Sequence, residues 1–387
     1  MSELQQATDS GALLASADDI AERLARLHAS GHADTDLPAD LMAAMVEGGL
    51  LQVLQPRCFG GFEAAPDLFF DVQRRLARAS MSAGWLVGVL GLQAWQLALF
   101  ERRAQEDVWL ANPRAVIASS FMPVGRVEPT ADGWLLSGSW RYASGCRFSD
   151  WAMLGAWLDD GAGGREHCAL LVPRADYDIR RDWQAIGLRA TGSHSIVVEQ
   201  ARVPRHRIFR GSDGFRCVCP GHALHANPLY RIPFGQLFGL TIALPGVGAL
   251  EGALDACVAR IGREPATAAP HAKLAIALAA SAAAECRASA ARNLAALVEA
   301  ARAATIPDLP RRAALRLDAA QILGKCVTAV GELFRTQGLG AVDASQPLAR
   351  AWTDINTASL HTANSVPRFG GVLGAALAGL DAHDPLL

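Results

Sequence analysis

The chain has 387 residues, 51% of them hydrophobic and 19% charged, and a formal net charge of −2. That length exceeds one simple core and implies two or three domains, while the low charge excludes a disordered or fibrous class. No basic stripe is present, so a nucleic-acid partner is excluded.

The opening MSELQQATDSGALLASADD is polar and acidic and does not read as a secretory signal. The most apolar run, Leu274–Ala284, is Ala-dominated, bounded by Lys273 and Glu285, and expected as a buried helix and not a membrane span. Eight cysteines are scattered singly apart from Cys217 and Cys219, the pattern of reduced thiols in a cytoplasmic protein. So little charge on so large an apolar chain also points to surface buried between subunits.

Residues 1–115 read as a helical domain. Ser16-x-x-Asp19 resembles a capping box ahead of Ile20, Leu24 and Leu27, which share a helical face. A second helix opens near Pro38 and closes at Gly48-Gly49, and Pro56-Arg57-Cys58-Phe59-Gly60-Gly61-Phe62 follows as a turn. Asp67 and Ser80 are candidate caps of the next two helices. The second of these, Met81–Phe100, is apolar nearly all round and is expected to be buried.

Residues 116–212 read as a β-domain. Asp132-Gly133 marks a turn before Trp134, Asp159–Gly164 a second turn, and Ile196–Val198 a strand ahead of Val203-Pro204. Within it, Ser137–Ala156 alternates bulky residues (Trp140, Tyr142) and breaks at Ala143-Ser144-Gly145-Cys146. It re-enters a strand through Trp151, Met153 and Leu154. A Gly beside a Ser at such a break marks a bulge or a close backbone approach to a ligand. The aromatic face beside it suits a flat cofactor as well as an ordinary sheet corner.

Residues 213–387 open with a connector rich in Gly, Pro and His and continue as helices: Phe234–Ile261 with a kink expected at Pro245, Ala269–Ala301, Arg311–Thr336, and Arg350 onward. Leu315, Ile322, Leu323, Cys326, Val330 and Leu333 keep the three-four spacing of a bundle face. Helices, then strands, then helices exclude a doubly wound α/β fold. Gly246-x-Gly248-x3-Gly252 has the wrong spacing for a dinucleotide loop and lies within a helix. Cys217, Cys219, His222 and His225 crowd four soft or borderline ligands into nine residues, but Pro220-Gly221 favours a connector over a zinc site, and no metal is expected.

This order, with Phe59-Gly60-Gly61, the Ser137–Ala156 strand pair, Gly187-Leu-Arg-Ala-Thr-Gly-Ser193 and Val203-Pro204, resembles the acyl-CoA dehydrogenase fold over nearly the whole chain. Within that fold it is most similar to the two-component flavin-dependent monooxygenases. The resemblance implies an α+β, mostly α, architecture: an N-terminal helical domain, a central β-barrel-like domain and a C-terminal four-helix bundle. Dehydrogenases of this fold carry a Trp-x-Thr motif whose hydroxyl meets flavin N5. Tyr142-Ala143-Ser144 occupies that place, so Ser144 is the implied N5 partner and Tyr142 the aromatic neighbour of the ring. Phe121, Thr191, Gly192 and Ser193 are further implied cofactor contacts, although Gly187–Ser193 also reads as a hairpin with solvated hydroxyls. Gln337, Gly338 and Gly340 are implied to reach the cofactor of a neighbouring subunit in a homotetramer.

The dehydrogenases' catalytic Glu has no counterpart. After Gln337-Gly338-Leu339-Gly340 and Thr353-Asp354, the segment Thr357-Ala358-Ser359-Leu360-His361-Thr362 holds no carboxylate, and taking an α-proton from a thioester needs a placed base. The monooxygenases place a His in this segment, which His361 matches on what reads as a helix. Ser144 and His361 are therefore the implied catalytic residues, with Gln93, Trp95, Ser119 and His361 on the substrate side. Gln93 departs from the His that phenol-hydroxylating members often carry there. The implied activity is that of an oxygenase component. It takes reduced flavin (FADH2 or FMNH2) from a separate NAD(P)H-dependent flavin reductase and, with O2 and a C4a-hydroperoxyflavin, hydroxylates a small aromatic or amine molecule. Ser144 at N5 and a dry pocket would slow wasteful peroxide release. His361, at an ordinary pKa of about 6.5, would act as general base or hydrogen-bond the hydroperoxide. A thioester-oxidising dehydrogenase or oxidase is the alternative, and a non-catalytic scaffold of the same fold a third.

Overall fold

A computed structural model describes residues 3–30, 36–159, 163–263, 270–382, 384 and 387. Helix α1 (Glu3–Ala29) runs unbroken through Ser16 and Asp19, which correct the expected capping box to interior positions. The buried stripe Leu13, Ala17, Ile20 and Leu24 continues across them, and a continuous apolar face overrides a local cap signal. Helix α2 is Ala39–Glu47. In α3 (Pro66–Ala79) the cap position is Ala65, with Pro66 at the first helical position, so Asp67 lies in the first turn and does not cap. Ser80 does cap α4 (Met81–Leu97), accepting from the Ala83 N–H at 3.4 Å. All of α4 is buried except Val89. Helix α5 (Arg102–Trp109) leads to the strands.

The strands are β1 (Ile117–Pro129), β2 (Gly133–Ala143), β3 (Trp151–Asp159), β4 (Arg165–Pro173), β5 (Asp178–Arg180), β6 (His194–Pro204) and β7 (Ile208–Arg210). They lie in the order β5-β6-β2-β1-β3-β4-β7. The turn expected at Asp159–Gly164 includes residues 160–162, outside the described residues. Strands β2 and β3 are not partners, contrary to the sequence expectation. β1 lies between them, antiparallel to β2 through Arg126–Pro129 and parallel to β3 through Ile117–Ser120. Alternation identifies a strand but not its neighbour, and only the ladder decides that. Between Ser120 and Gly125 the β1–β3 register slips, which turns Phe121 out of the ladder. The fully buried Trp140 of β2 donates its indole N–H to the Gly155 carbonyl of β3 at 2.8 Å, pinning the two strands across β1.

After α6 (Gly211–Arg216) and two 3-10 turns come α7 (Phe234–Arg263), α8 (Pro270–Arg302), α9 (Leu309–Arg335), α10 (Pro347–Ala358) and α11 (Val366–Leu377). Helices α7–α10 pack on one another, and α11 adds a fifth helix against α9. The single helix expected from Arg350 onward is therefore two. Ser365 caps α11 through the Arg368 N–H, and Pro367 sits in its first turn. Helices α7 and α8 are both long and apolar enough to cross a membrane; the apolar window of α7 is 83% buried in the bundle and that of α8 only 28%. The buried helix expected at Leu274–Ala284 is thus half right. A stripe of Ala275, Ala279 and Ala283 is buried, while Leu274 and Leu278 are 60% and 56% exposed.

The loop before β6 is clamped to the bundle. Gly187 lies so close to α10 that a Cβ there would sit 2.1 Å from the Thr353 carbonyl oxygen. The next residue, Leu188, donates its backbone N–H to buried Asp354 at 2.6 Å. Gly187→Ala should therefore force backbone away from backbone. We expect it to lower stability by about 1–3 kcal/mol, read as a reduced midpoint of guanidinium unfolding; an unchanged midpoint would show that this junction is loose.

Candidate active site

The corner after β2 is where three elements meet. Its backbone turns at Gly145, whose φ of 71° favours glycine, and a Cβ there would lie 2.9 Å from Leu90 on α4. The Gly145 N–H donates to the Thr191 carbonyl at 2.9 Å, bringing the Gly187–Ser193 loop alongside. Tyr142 and Leu188, both non-glycine, also take positive φ, of 65° and 51°, and such strain concentrates at functional sites.

Side-chain hydroxyls then form a chain whose direction is determined. Trp85 Nε1–H on α4 donates to Ser144 Oγ at 3.1 Å. Ser144 Oγ lies 2.8 Å from Ser193 Oγ, Ser193 Oγ 2.7 Å from Thr191 Oγ1, and Thr191 donates to the Leu188 carbonyl at 2.7 Å. Each hydroxyl has one proton. Thr191 spends its proton on Leu188, so Ser193 must donate to Thr191, and Ser144 to Ser193. The chain runs from Trp85 to the Leu188 carbonyl, which also accepts from Trp183 Nε1–H at 3.0 Å and the Thr191 N–H at 3.2 Å. Ser144 is left with an unused lone pair and no proton to offer, so any further partner must be a donor.

Beside this corner stands an aromatic cluster. Trp85, Val89 and Gln93 recur every four residues on one face of α4, and Val89 is the half-buried point on that helix. Phe121 of β1 and Phe238 of α7 meet edge to face at 5.8 Å, and the Phe238 ring also meets His361 at 5.8 Å. His361 in turn lies edge-on to Trp85 at 5.8 Å. Its position corrects the expected helix. It occupies the break between α10 and α11 as the cap of the 3-10 turn Thr362–Asn364. Its Nδ1 accepts the Ala363 N–H at 3.1 Å, which leaves the proton of the neutral ring on Nε2.

The ordinary imidazole pKa expected for His361 is also corrected. Its ring keeps some solvent-reachable surface, yet the protein packed around it desolvates the charged form. That burial, followed by the positive charge of Arg316, lowers the pKa to about 4. At neutral pH the residue is an uncharged Nε2–H donor and a weak base.

The remaining sequence-selected residues fall in different places. Gln93 is buried, donating to the Val89 carbonyl at 3.2 Å, with its Oε1 unpartnered. Trp95 faces about half a turn away, donating to the Leu229 carbonyl and stacking on Phe234, so it supports the pocket from behind. Ser119, on β1, is half-buried and its hydroxyl makes no hydrogen bond among the described residues; its neighbour Ser120 donates to the Arg141 carbonyl. Tyr142 is 52% exposed, its ring edge-on to Trp183. Gly192 has a φ of 51° between the two chain hydroxyls. Gln337, Gly338 and Gly340 lie beyond α9, where Gln337 accepts from Arg260 and Gly338 and Gly340 are exposed.

Sequence reasoning missed Trp85, Val89 and Phe238, as well as His194 and Asn364. The four-residue recurrence through Gln93 would have found the first two; Phe238 carried no signal apart from its partners. His194 accepts the Trp183 N–H at Nδ1, leaving a buried Nε2 without a partner near Gly192, and both amide atoms of buried Asn364 beside His361 are likewise unpartnered. Cys217, Cys219, His222 and His225 are engaged separately. Cys217 contacts the Arg231 carbonyl, His222 the Cys219 carbonyl and His225 the Gln105 side chain. Among the described residues no group of three His, Cys, Asp or Glu is placed to hold a metal. A separate cavity of about 380 Å³ lies between the Ile186–Arg189 loop and α10, lined by the stacked Phe334 and Trp352. It holds none of the chain hydroxyls.

Residues 240–366 match the family described as acyl-CoA dehydrogenase, C-terminal domain. The chain is 33% identical over 363 residues to the flavin-dependent monooxygenase oxygenase subunit HsaA of Rhodococcus jostii RHA1, covering 91% of this chain and 94% of that one. It superposes on the crystal structure of the HsaA monooxygenase from M. tuberculosis with a TM-score of 0.92 and 32% identity, over 98% of this chain and 100% of the other. XiaF from Streptomyces sp., solved with FADH2 and glycerol, gives a TM-score of 0.88 and 26% identity over 99% of both chains.

The depressed His361 pKa has a consequence for stability. Above the ordinary pKa both states are neutral. As pH falls from about 6.5 to about 4 the unfolded chain takes up a proton that the folded site refuses, so stability is lost across that window and levels off below it. The loss should reach about 3 kcal/mol. His167, His194, His222 and His225 shift in the same direction through burial, so the difference between wild type and His361→Gln isolates the effect. Denaturation midpoints at pH 7 and pH 4.5 should separate less in the variant; equal separations would refute the depressed pKa.

Proposed function

The chain belongs to the flavin-dependent monooxygenases of the acyl-CoA dehydrogenase fold, and from that membership we propose that it is the oxygenase component of a two-component hydroxylase, acting on a small aromatic molecule with reduced flavin and O2. The observation that carries this reading is the direction of the hydroxyl chain. Ser144 can only accept. A reduced flavin offers an N–H at N5, whereas an oxidised flavin offers a lone pair there, so the residues fit the reduced form. When bound, reduced flavin supplies the two electrons with which O2 gives one oxygen atom to the substrate and the other to water.

Ser144, backed by Trp85, Ser193 and Thr191, would hold the N5 proton in place. Phe121 and Phe238, with Val89, would exclude water from the reacting face. His361, uncharged and bearing its proton on Nε2, would donate to the substrate oxygen or to the oxygen being transferred. That assignment favours the hydrogen-bonding role over the general base. Gln93, with an unsatisfied Oε1 on the same α4 face, would accept from a substrate hydroxyl, and Ser119 lies at the neighbouring strand end. The absence of a carboxylate in Thr357–Thr362 argues against thioester oxidation.

A separate flavin reductase must deliver the cofactor, since the chain has no dinucleotide loop: Gly246–Gly252 is interior to α7. The eight free cysteines suit a reducing cytoplasm. Exposed Leu339 (89%), Leu360 (83%) and Leu377 (76%) suit burial between the subunits of a homotetramer, in which Gln337–Gly340 would approach a neighbour's cofactor.

Binding of reduced against oxidised flavin, measured anaerobically and aerobically by fluorescence, tests the central claim. Wild type should favour the reduced form. Thr191→Val removes the end of the chain, frees Ser193 to donate to Ser144, and releases the Ser144 proton; the preference for reduced flavin should fall by about tenfold, one hydrogen bond's worth. Equal affinity of wild type for both forms would defeat the argument. Reduced flavin, O2 and a phenol should then give hydroxylated product, and Ser144→Ala should divert turnover to hydrogen peroxide. Flavin bleaching by an acyl thioester without any reductase would establish the dehydrogenase alternative instead.

A further inference from the structure

Arg316, on α9, is 3% exposed and has no carboxylate in ion-pair contact among the described residues. Asp384, whose field reaches it, is held in a two-point pair by Arg368 at 2.5 and 2.6 Å. Its guanidinium instead donates to two backbone carbonyls, Gly235 at the start of α7 (2.5 Å) and Ala363 (3.0 Å), and lies 4.4 Å from the centre of the Phe369 ring. Gly239 on α7 makes the room, because a Cβ there would fall 1.8 Å from Nη1. Burial lowers the pKa of Arg316 to about 10, so it stays charged at neutral pH. An enclosed cation without an anion is destabilising, and an apolar residue would cost less.

What the charge does is visible one residue away. Ala363, gripped at its carbonyl by Arg316, is also the residue whose N–H donates to His361 Nδ1. The imidazole also meets the rings of Trp85 on α4 and Phe238 on α7, and among the described residues Arg316 is the charged group that acts on it. We propose that Arg316 is a positioning residue for His361: by gripping the Ala363 carbonyl it fixes the backbone turn whose Ala363 N–H holds Nδ1 as acceptor and the proton on Nε2, and its charge adds to burial in disfavouring a positive charge on the ring. His361 thereby meets the substrate as a donor throughout the neutral range. The proposal takes from the functional reading that His361 faces the substrate, but the coupling between the two side chains exists without flavin.

The test uses the full-length protein free of flavin, labelled with 15N-histidine and titrated by NMR. Wild type should show a His361 pKa near the low value given above and an Nε2–H tautomer. Arg316→Met should raise that pKa by about one unit or more and mix the tautomers. Arg316→Lys keeps the charge but cannot bond two carbonyls in fork geometry; it should keep the low pKa while loosening the tautomer. Gly239→Ala displaces the guanidinium without removing it and should also mix the tautomers, which keeps the question decidable if Arg316→Met does not fold. In turnover, Arg316→Met should lower kcat by about tenfold, move the acid limb of the pH profile upward, and leave KM nearly unchanged, with Arg316→Lys partly restoring the profile. A folded Arg316→Met or Gly239→Ala protein with wild-type His361 titration and tautomer overturns the proposal. Failure of the functional reading would show separately, as wild-type protein that takes no reduced flavin, with the titration unaffected.

Discussion

One hydrogen-bond chain organises the molecule around its pocket. From Trp85 it passes through Ser144, Ser193 and Thr191 to the Leu188 carbonyl, and Leu188 uses its own N–H on Asp354 of α10. A helix of the first part of the chain, a strand corner, a loop and a helix of the last part are thereby joined through adjacent polar contacts. Thr191 is 1% and Ser193 6% exposed, and a buried hydroxyl left without a partner costs about 1–3 kcal/mol. With the Thr191 hydroxyl donating to the Leu188 carbonyl, the remaining two hydroxyls have one proton order. That order makes Ser144 an acceptor, and the chemistry of the corner follows from it.

The second constraint is desolvation. Trp85, Val89, Phe121, Phe238 and His361 gather beside Ser144, and among the described residues the charge acting on the imidazole is the cation of Arg316, which holds the Ala363 carbonyl. Where the dehydrogenases' motif carries a carboxylate to take a proton, this segment carries a neutral ring, which under the proposed function would give a hydrogen bond. A weakly basic donor in a dry aromatic pocket is suited to steadying an oxygen atom. It is poorly suited to abstracting a proton from carbon. Lone buried groups such as Gln93 Oε1 and the Asn364 amide, unsatisfied among the described residues, fit a site whose polar requirements are met by a ligand.

Local chemistry was legible wherever a residue type does one thing in one context. Ser80 caps α4, Gly145 marks the corner, and Pro245 lies within α7 without removing the helix. The gaps have physical causes. Ser16 resembles a cap, but a longer apolar stripe carries α1 through it. His361 reads as helical because Thr357–Thr362 lacks a breaker, yet Ser365 and Pro367 restart the helix after it. Trp95 drew attention as an aromatic beside Gln93, although helical geometry sends it to the opposite side. Arg316 had no signal at all: in a helix rich in Arg, nothing local distinguishes the one that is enclosed.

The sequence by itself determined the order of helices and strands, the absence of a carboxylate at the segment holding His361, and the presence of hydroxyls at 144, 191 and 193, because propensity, periodicity and residue chemistry are local properties. Tertiary structure alone decided that β1 separates β2 from β3, that the three hydroxyls touch and in which direction their protons point, and that His361 is neutral. Those depend on distances of a few ångströms between residues as far apart as Trp85 and Ser144, or Arg316 and Ala363. Pairing of that kind is fixed by packing, since no feature of either residue's own neighbourhood names its partner.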